Sequence, residues 1–80
     1  MDKEDLCQKI KTIYPDIGRC GIDVDVDYDS SNDRWKVGLK RGNKFLETFL
    51  EKGDAELCMA GKQCVSLGLE IHQLADNASE

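Results

Sequence analysis

The sequence predicts a single small α+β domain with the element order α-β-β-β-α. In this fold, two helices pack on one face of a three-stranded antiparallel meander. Three observations lead to this prediction. The 80 residues suffice for one domain. Apolar and charged residues alternate strictly in the central part of the chain, which is typical of strands, and apolar residues recur at helical spacing toward both ends.

The central hairpin is the clearest element. Apolar and charged residues alternate in two runs, at residues 22–29 and 34–40. A polar loop at residues 30–33 joins the two runs. Folding the second run back places Tyr28 opposite Trp35 and Val26 opposite Val37. The same register sets three aspartates against three basic residues: Asp29–Arg34, Asp27–Lys36 and Asp23–Lys40. Because a slip of one residue would turn every side chain to the wrong face, we expect strands at about 21–29 and 34–41, with a salt-bridge ladder on the outer face.

The first helix is predicted over about residues 3–14. Asp2 can cap it, and Pro15 disfavours its continuation. Ile17, in the connector that follows, is expected to be buried. The apolar residues of the helix recur at helical spacing: Leu6, Ile10 and Ile13.

The segment 44–50 is ambiguous. Phe45 and Phe49 lie four residues apart, as on a helix face, whereas the tight turn before the segment favours a third strand. We favour the strand because a lone two-stranded hairpin is a poor platform for two helices.

One long final helix is predicted over about residues 55–76, capped by Asp54 and followed by a frayed tail at 77–80. Gly61 and Gly68 lie seven residues apart on one face of this helix, which implies close approach by another backbone. Packing on the protein's own sheet is preferred to packing on a partner helix. The apolar stripe follows a heptad-like register: Leu57, Cys64 and Ile71, then Ala60, Leu67 and Leu74.

Charge disfavours several partners. The net charge is −5, and residues 42–80 hold seven acidic against three basic residues, so nucleic acids and anionic membranes are not expected as partners. No apolar run spans a bilayer, and the N-terminal residues lack the apolar stretch of a signal peptide. We therefore expect a cytoplasmic location in a prokaryote-like setting, with all four cysteines as thiols.

The cysteines do not predict a metal site. Their spacings of 13, 38 and 6 contain no short zinc knuckle. Cys58 and Cys64 would lie about 240° apart around one continuous helix, so they are not expected to act together. Cys20 is the candidate reactive thiol, because it lies in a turn beside Arg19, where the pKa of a thiol can fall.

Other chemistry-bearing residues form no recognisable constellation. The alternating aspartates imitate a calcium loop only superficially, since Ser30 stands where such a loop needs glycine and Lys36 where it needs an acid. His72 is the only histidine. No metal, cofactor or catalytic residue is predicted, and an enzyme is the least supported class.

The favoured function is a non-catalytic protein-interaction or accessory module that uses the face of the C-terminal helix. The interface candidates are Met59, Val65, Leu69 and His72, and the partner would be another protein or a second copy of the chain. The first alternative is a thiol-based sensor of a ligand, a metal or redox state through Cys20.

The second alternative comes from a resemblance. The α-β-β-β-α order resembles that of double-stranded RNA-binding domains, which hold phosphates with a lysine cluster opening the second helix. Here that position reads Asp54, Ala55, Glu56 and Leu57, with a single Lys62 beyond. The likeness is one of element order, so nucleic-acid binding is the disfavoured alternative.

Overall fold

The computed structural model describes residues 2–79 and confirms the α+β fold class. Its three strands form one antiparallel sheet in the order β1-β2-β3, and the helices cover one face of that sheet. The elements in chain order are α1 (Lys3–Ile13), a 3₁₀ turn (Pro15–Ile17), β1 (Val24–Asp29), β2 (Arg34–Arg41), β3 (Lys44–Glu51), α2 (Lys52–Met59) and α3 (Val65–Ser79).

The predicted hairpin register is confirmed. Tyr28 pairs with Trp35 and Val26 with Val37 across β1 and β2. The Tyr28 and Trp35 rings meet edge to face, with their centroids 5.0 Å apart, an arrangement that aromatic pairs prefer. The alternation of apolar residues therefore fixes which face of the sheet is buried.

The predicted ladder of salt bridges forms at only one of its three steps among the described residues. Arg34 Nε lies 3.2 Å from Asp29 Oδ2. Asp27 is instead approached by Lys3 of α1, at 3.8 Å between charged atoms. The partner of Lys36 is a glutamate of β3 at 3.6 Å. The register thus fixes on which face of the sheet a charged side chain stands, but not which opposite charge it contacts.

The segment 44–50 is a strand, as favoured from the sequence, and β3 extends to Glu51. It pairs with β2 so that Trp35 opposes Leu50 and Leu39 opposes Leu46. The core lies between this face of the sheet and the helices, and its fully buried side chains include Leu6, Ile10, Ile17, Val24, Val37, Leu39, Leu67 and Ile71.

The first helix forms where predicted. The Asp5 backbone N–H donates to Asp2 Oδ1 at 2.9 Å, which satisfies one of the free amides at the helix start. The helix ends at Ile13, before Pro15. Ile17 is fully buried, as expected of the connector's apolar residue.

The single final helix predicted over 55–76 is wrong, because the structure has two helices there. Gly61 adopts a φ of +74°, in the left-handed region that ends helices. The Lys62 N–H donates to the Leu57 carbonyl and the Gly61 N–H to the Cys58 carbonyl, each at 3.0 Å. This pair of bonds is the Schellman arrangement that closes a helix C-terminus.

The two helices have ends that differ from the prediction. α2 begins at Lys52, so Asp54 lies within its first turn and is not its cap. Leu57, placed in the apolar stripe by the heptad register, is exposed. α3 continues to Ser79 and buries Ala78, beyond the predicted end of the helix. Of the tail expected to fray, Glu80 lies outside the described residues.

The four cysteines form two disulfides instead of the expected thiols. Cys7 joins Cys20 and thereby ties α1 to the connector before β1. Cys58 joins Cys64 with a Cα–Cα distance of 4.4 Å. On one continuous helix these two residues would face different sides; the turn at Gly61 brings them together.

Candidate functional site

Two phenylalanines stand on the face of the sheet that the helices leave open. Phe45 and Phe49 are 57% and 41% exposed on β3, far above what a core position would show. The Phe45 ring lies over Gly38, where an added Cβ would come within 2.8 Å of the ring. The centre of the Arg34 guanidinium lies 3.6 Å from the centroid of the Phe49 ring, a cation–π contact. The open face therefore presents two supported aromatic rings.

These rings lie on an edge strand. β3 pairs with β2 on one side, and within residues 2–79 no strand pairs with its other side. The unpaired N–H and C=O groups of an edge strand are a template for another chain. β3 thus combines an unpaired edge eight residues long, in which alternate residues direct their N–H and C=O groups outward, with apolar side chains.

The helix face contributes two more exposed apolar side chains. Val65 and Leu69 of α3 are each 63% exposed, and their spacing of four residues puts them on one side of the helix. They belong to the four interface candidates. Of the other two, Met59 is partly buried against the core. His72 is exposed and lies on the same side of α3 as Leu69, three residues further on, and its ring packs edge-on against Tyr14 at 4.8 Å.

A groove of about 310 Å³ joins the strand to the helix. Phe49 and Leu69 both contribute to its walls. Thr48 Oγ1 donates to Glu70 Oε2 at 2.9 Å, which fixes α3 against β3. We call the open edge of β3, with Phe45, Phe49, Val65 and Leu69, the β3 surface.

The charged residues that line the groove are acidic. They are Glu51, Asp54 and Glu70, and no described Lys or Arg is among the lining residues, although the Arg34 guanidinium lies over the Phe49 ring at its wall. Among the described residues, Glu51 and Asp54 have no salt-bridge partner. The groove is therefore an apolar slot with an acidic rim.

Cys20 has no free thiol in this structure, because its sulfur is bonded to Cys7. All four cysteines, which lie within the described residues, are paired. A cavity of about 500 Å³ borders the Cys7–Cys20 bridge. A nucleophilic or metal-binding role requires a thiolate, so the sensor alternative would first require reduction.

The loop of the hairpin is organised by polar contacts. The Tyr28 hydroxyl donates to Asp33 Oδ1, and this bond to a carboxylate raises the pKa of Tyr28 to about 12. The Asn32 amide and the Arg34 guanidinium lower the pKa of Asp29 below its ordinary value. Asp33 adopts a φ of +55°, which aspartate tolerates better than most residues. These contacts define a turn and do not converge on a ligand position.

Other kinds of site find no support in the part of the chain that the structure describes. No three potential His, Cys, Asp or Glu ligands cluster there around a metal position. No helix within residues 2–79 has the length and apolar character that a membrane span requires.

The two phenylalanines were not identified as site residues from the sequence, although a signal was present. The tight turn at Gly42 and Asn43 makes Arg41 oppose Lys44. Continuing that register sets Phe45 against Lys40 and Phe49 against Lys36, on the charged face. Extending the alternation of the hairpin through one more turn would have placed both rings outside the core.

Comparison of this chain with protein-family models, with curated proteins and with solved structures finds no match. The function is therefore argued from the site.

Proposed function

We propose that this domain is a non-catalytic module that binds another protein through the β3 surface. The observation that carries the proposal is the grouping of exposed apolar side chains on both sides of one open strand edge. Phe45 and Phe49 flank the edge on the open face, and Leu69 flanks it on the helix face. Strand addition uses such an edge: backbone hydrogen bonds supply affinity, and alternate side chains enter pockets on each face.

The other edge of the sheet, at β1, is more charged and less open, although Tyr28 is also exposed there. Asp25 and Asp27 stand on the open face of β1, and both are exposed and charged. At its start, Cys20 forms a bridge with Val24, which occupies part of the edge. Charged side chains and short open stretches are the usual means by which proteins keep an edge unpaired. The contrast between the two edges supports β3 as the binding edge.

The proposal changes two earlier expectations. The interaction surface moves from the helix face alone to the junction of α3 with β3, since Leu69 lines the groove whereas Met59 and His72 are not among its lining residues. The expectation of a cytoplasmic location rested on the lack of a signal peptide and of a membrane-spanning run, and the free thiols were expected from that location. Two disulfides in a small domain favour an oxidising compartment instead.

The experiment is an affinity purification from the source cells with three baits. These are the wild-type chain, a Leu69→Glu variant and an Ile22→Glu variant. Ile22 is 66% exposed, close to the 63% of Leu69, so the two variants add the same charge at equally exposed positions. We expect one protein to be retained by the wild-type and Ile22→Glu baits and lost with Leu69→Glu.

Sedimentation across micromolar concentrations separates hetero-association from self-association. A dimer that Leu69→Glu dissociates would make the partner a second copy of the chain. A monomer whose retained proteins are the same with all three baits would contradict the proposal.

A further inference from the structure

We infer that the partner contributes an extended segment in which Lys or Arg alternates with apolar residues, and that this segment adds to β3 as a fourth strand. The inference rests on the proposed function and specifies the chemistry of the partner. Three features of the structure lead to it: the length of the open edge, the side-chain row on its open face, and the strand that already occupies its other side.

The open edge sets the length of the segment. β3 runs for eight residues, which at about 3.3 Å per residue extends about 26 Å. A partner of seven or eight extended residues would use the whole edge. Shorter segments would lose backbone hydrogen bonds, which supply the sequence-independent part of the affinity in strand addition.

The open face of β3 presents aromatic and acidic side chains alternately. The row reads Phe45, Glu47, Phe49, Glu51 along the strand. Side chains of an added strand would lie beside this row at cross-strand distance. Lys and Arg suit both members of the row, because they pair with carboxylates and also lie over aromatic faces.

The contacts between β2 and β3 show which side chains pack beside those of β3. On the open face, Arg34 lies over the Phe49 ring and Lys36 Nζ lies 3.6 Å from Glu47 Oε2. On the opposite face, β2 contributes the buried Trp35, Val37 and Leu39. A partner with the same alternation would repeat these contacts on the free side of β3.

The helix side of the edge suits the apolar residues of such a segment. The groove there is lined by Leu50, Leu67 and Leu69. It opens beside the edge, so the side chains of an added strand that point away from the open face would enter it. The apolar residues of the partner segment would therefore pack in this groove.

Charge argues against the other occupants. A second copy would bring its own Glu47 and Glu51 against the same row if the β3 edges paired, and both chains carry a net charge of −5. Nucleic acid and anionic lipid would be repelled by the acidic rim at Glu51, Asp54 and Glu70. A basic extended segment is the occupant that fits.

The test is a titration of the ¹⁵N-labelled protein with an eight-residue peptide of alternating lysine and valine, followed by amide chemical shifts. We expect shift changes confined to residues 44–51 and 65–70. A peptide of alternating glutamate and valine should produce none, and a lysine–valine peptide with alternate backbone nitrogens methylated should bind weakly because it cannot pair with a strand edge.

Two matched variants test the role of charge. Glu47→Gln with Glu51→Gln removes two carboxylates from the open face of β3. Asp25→Asn with Asp27→Asn removes two from the open face of β1. We expect the first pair to weaken peptide binding about fivefold and the second to leave it within about twofold, as surface substitutions away from a site usually do.

Shift changes centred on residues 25–29, or equal weakening by both variant pairs, would overturn the inference, because binding would then follow general acidity. Absence of any shift change would overturn it too. These failures are distinct from failure of the proposed function. Suppose that the wild-type bait retains a protein, that the Leu69→Glu bait loses it, and that its binding does not depend on Glu47 and Glu51. The β3 surface would then remain the binding site, and the basic segment would be rejected.

Discussion

At the residue scale, contacts with neighbouring residues hold the exposed side chains of the hairpin and the sheet in position. Phe45 is held flat on the sheet because Gly38 leaves room beneath it, and Phe49 is held by Arg34. Polar residues of the loop are similarly constrained. Tyr28 and Asp33 form a hydrogen bond in which one partner is charged, and such bonds are the stronger kind.

The first prediction concerns the pKa of Tyr28, which the bond to Asp33 raises from 10.0 to about 12. Because the pKa is higher in the folded state, the stabilisation is fully present below pH 10 and is lost as the pH rises through 12. Absorbance titration in a Tyr14→Phe background, which leaves Tyr28 as the sole tyrosine, should show this midpoint.

Asp33→Asn is the matched variant, since asparagine also tolerates a positive φ but carries no charge. It should lower the Tyr28 midpoint toward 10. An unchanged midpoint would show that another group causes the shift.

At the scale of elements, the sequence predicts those parts that a single periodicity defines. The α1 helix and the hairpin register follow from the spacing of apolar residues, and both form as predicted. The third strand also forms, but it follows from the tight turn before it and from the need for a wider sheet. The break between α2 and α3 was missed because the heptad-like pattern runs through Gly61 without interruption. A glycine in such a pattern is compatible with a helix interior and with a helix end, and only the tertiary structure chooses between them.

The expectation of one continuous helix also predicts that Cys58 and Cys64 stay unpaired. On one helix, residues six apart face different sides, whereas across a turn they meet. The candidate site was predictable only in part. Helical spacing identified Val65 and Leu69, but the groove depends on the packing of α3 beside β3, where Thr48 donates to Glu70.

The second prediction uses two glycines with opposite requirements. Gly61→Ala should lower the free energy of unfolding by about 1 kcal/mol, since alanine is strained in the left-handed conformation. Gly53→Ala should raise it by about 0.5 kcal/mol, because Gly53 lies in α2 and alanine is the better helix former. Apart from the adjacent residues and the helix's own backbone, no atom of the described residues lies within 4 Å of the added Cβ at either position, so tertiary packing contributes little to the difference.

Urea unfolding of both variants gives the measurement. Stabilisation by Gly61→Ala would show that the long helix predicted from the sequence is continuous after all.

At the scale of the whole molecule, an 80-residue chain buries only a modest apolar core, and two covalent links supplement it. Cys7–Cys20 closes a span of 13 residues and Cys58–Cys64 a span of 6. The first anchors α1 to the start of the sheet. The second fixes the turn that lets α3 pack against β3, and with it the groove of the β3 surface.

The third prediction follows from loop closure. Replacing Cys7 and Cys20 by alanine should lower the free energy of unfolding by about 3 kcal/mol, and replacing Cys58 and Cys64 by about 2 kcal/mol, because the longer loop constrains the unfolded chain more. Urea unfolding without reductant measures both losses. Alkylation of the unfolded wild-type protein before reduction should label no cysteine; labelling of all four would contradict the disulfides.

The central claim, that a partner protein docks on the β3 surface, is tested most directly by photo-cross-linking in the source cells. A benzophenone amino acid replaces Phe49 in one chain and Ile22 in another, so that both probes are exposed but only the first lies on the β3 surface. We predict a discrete adduct with one protein from position 49 and none from position 22. Adducts from position 22 alone, or the same adducts from both positions, would contradict the account.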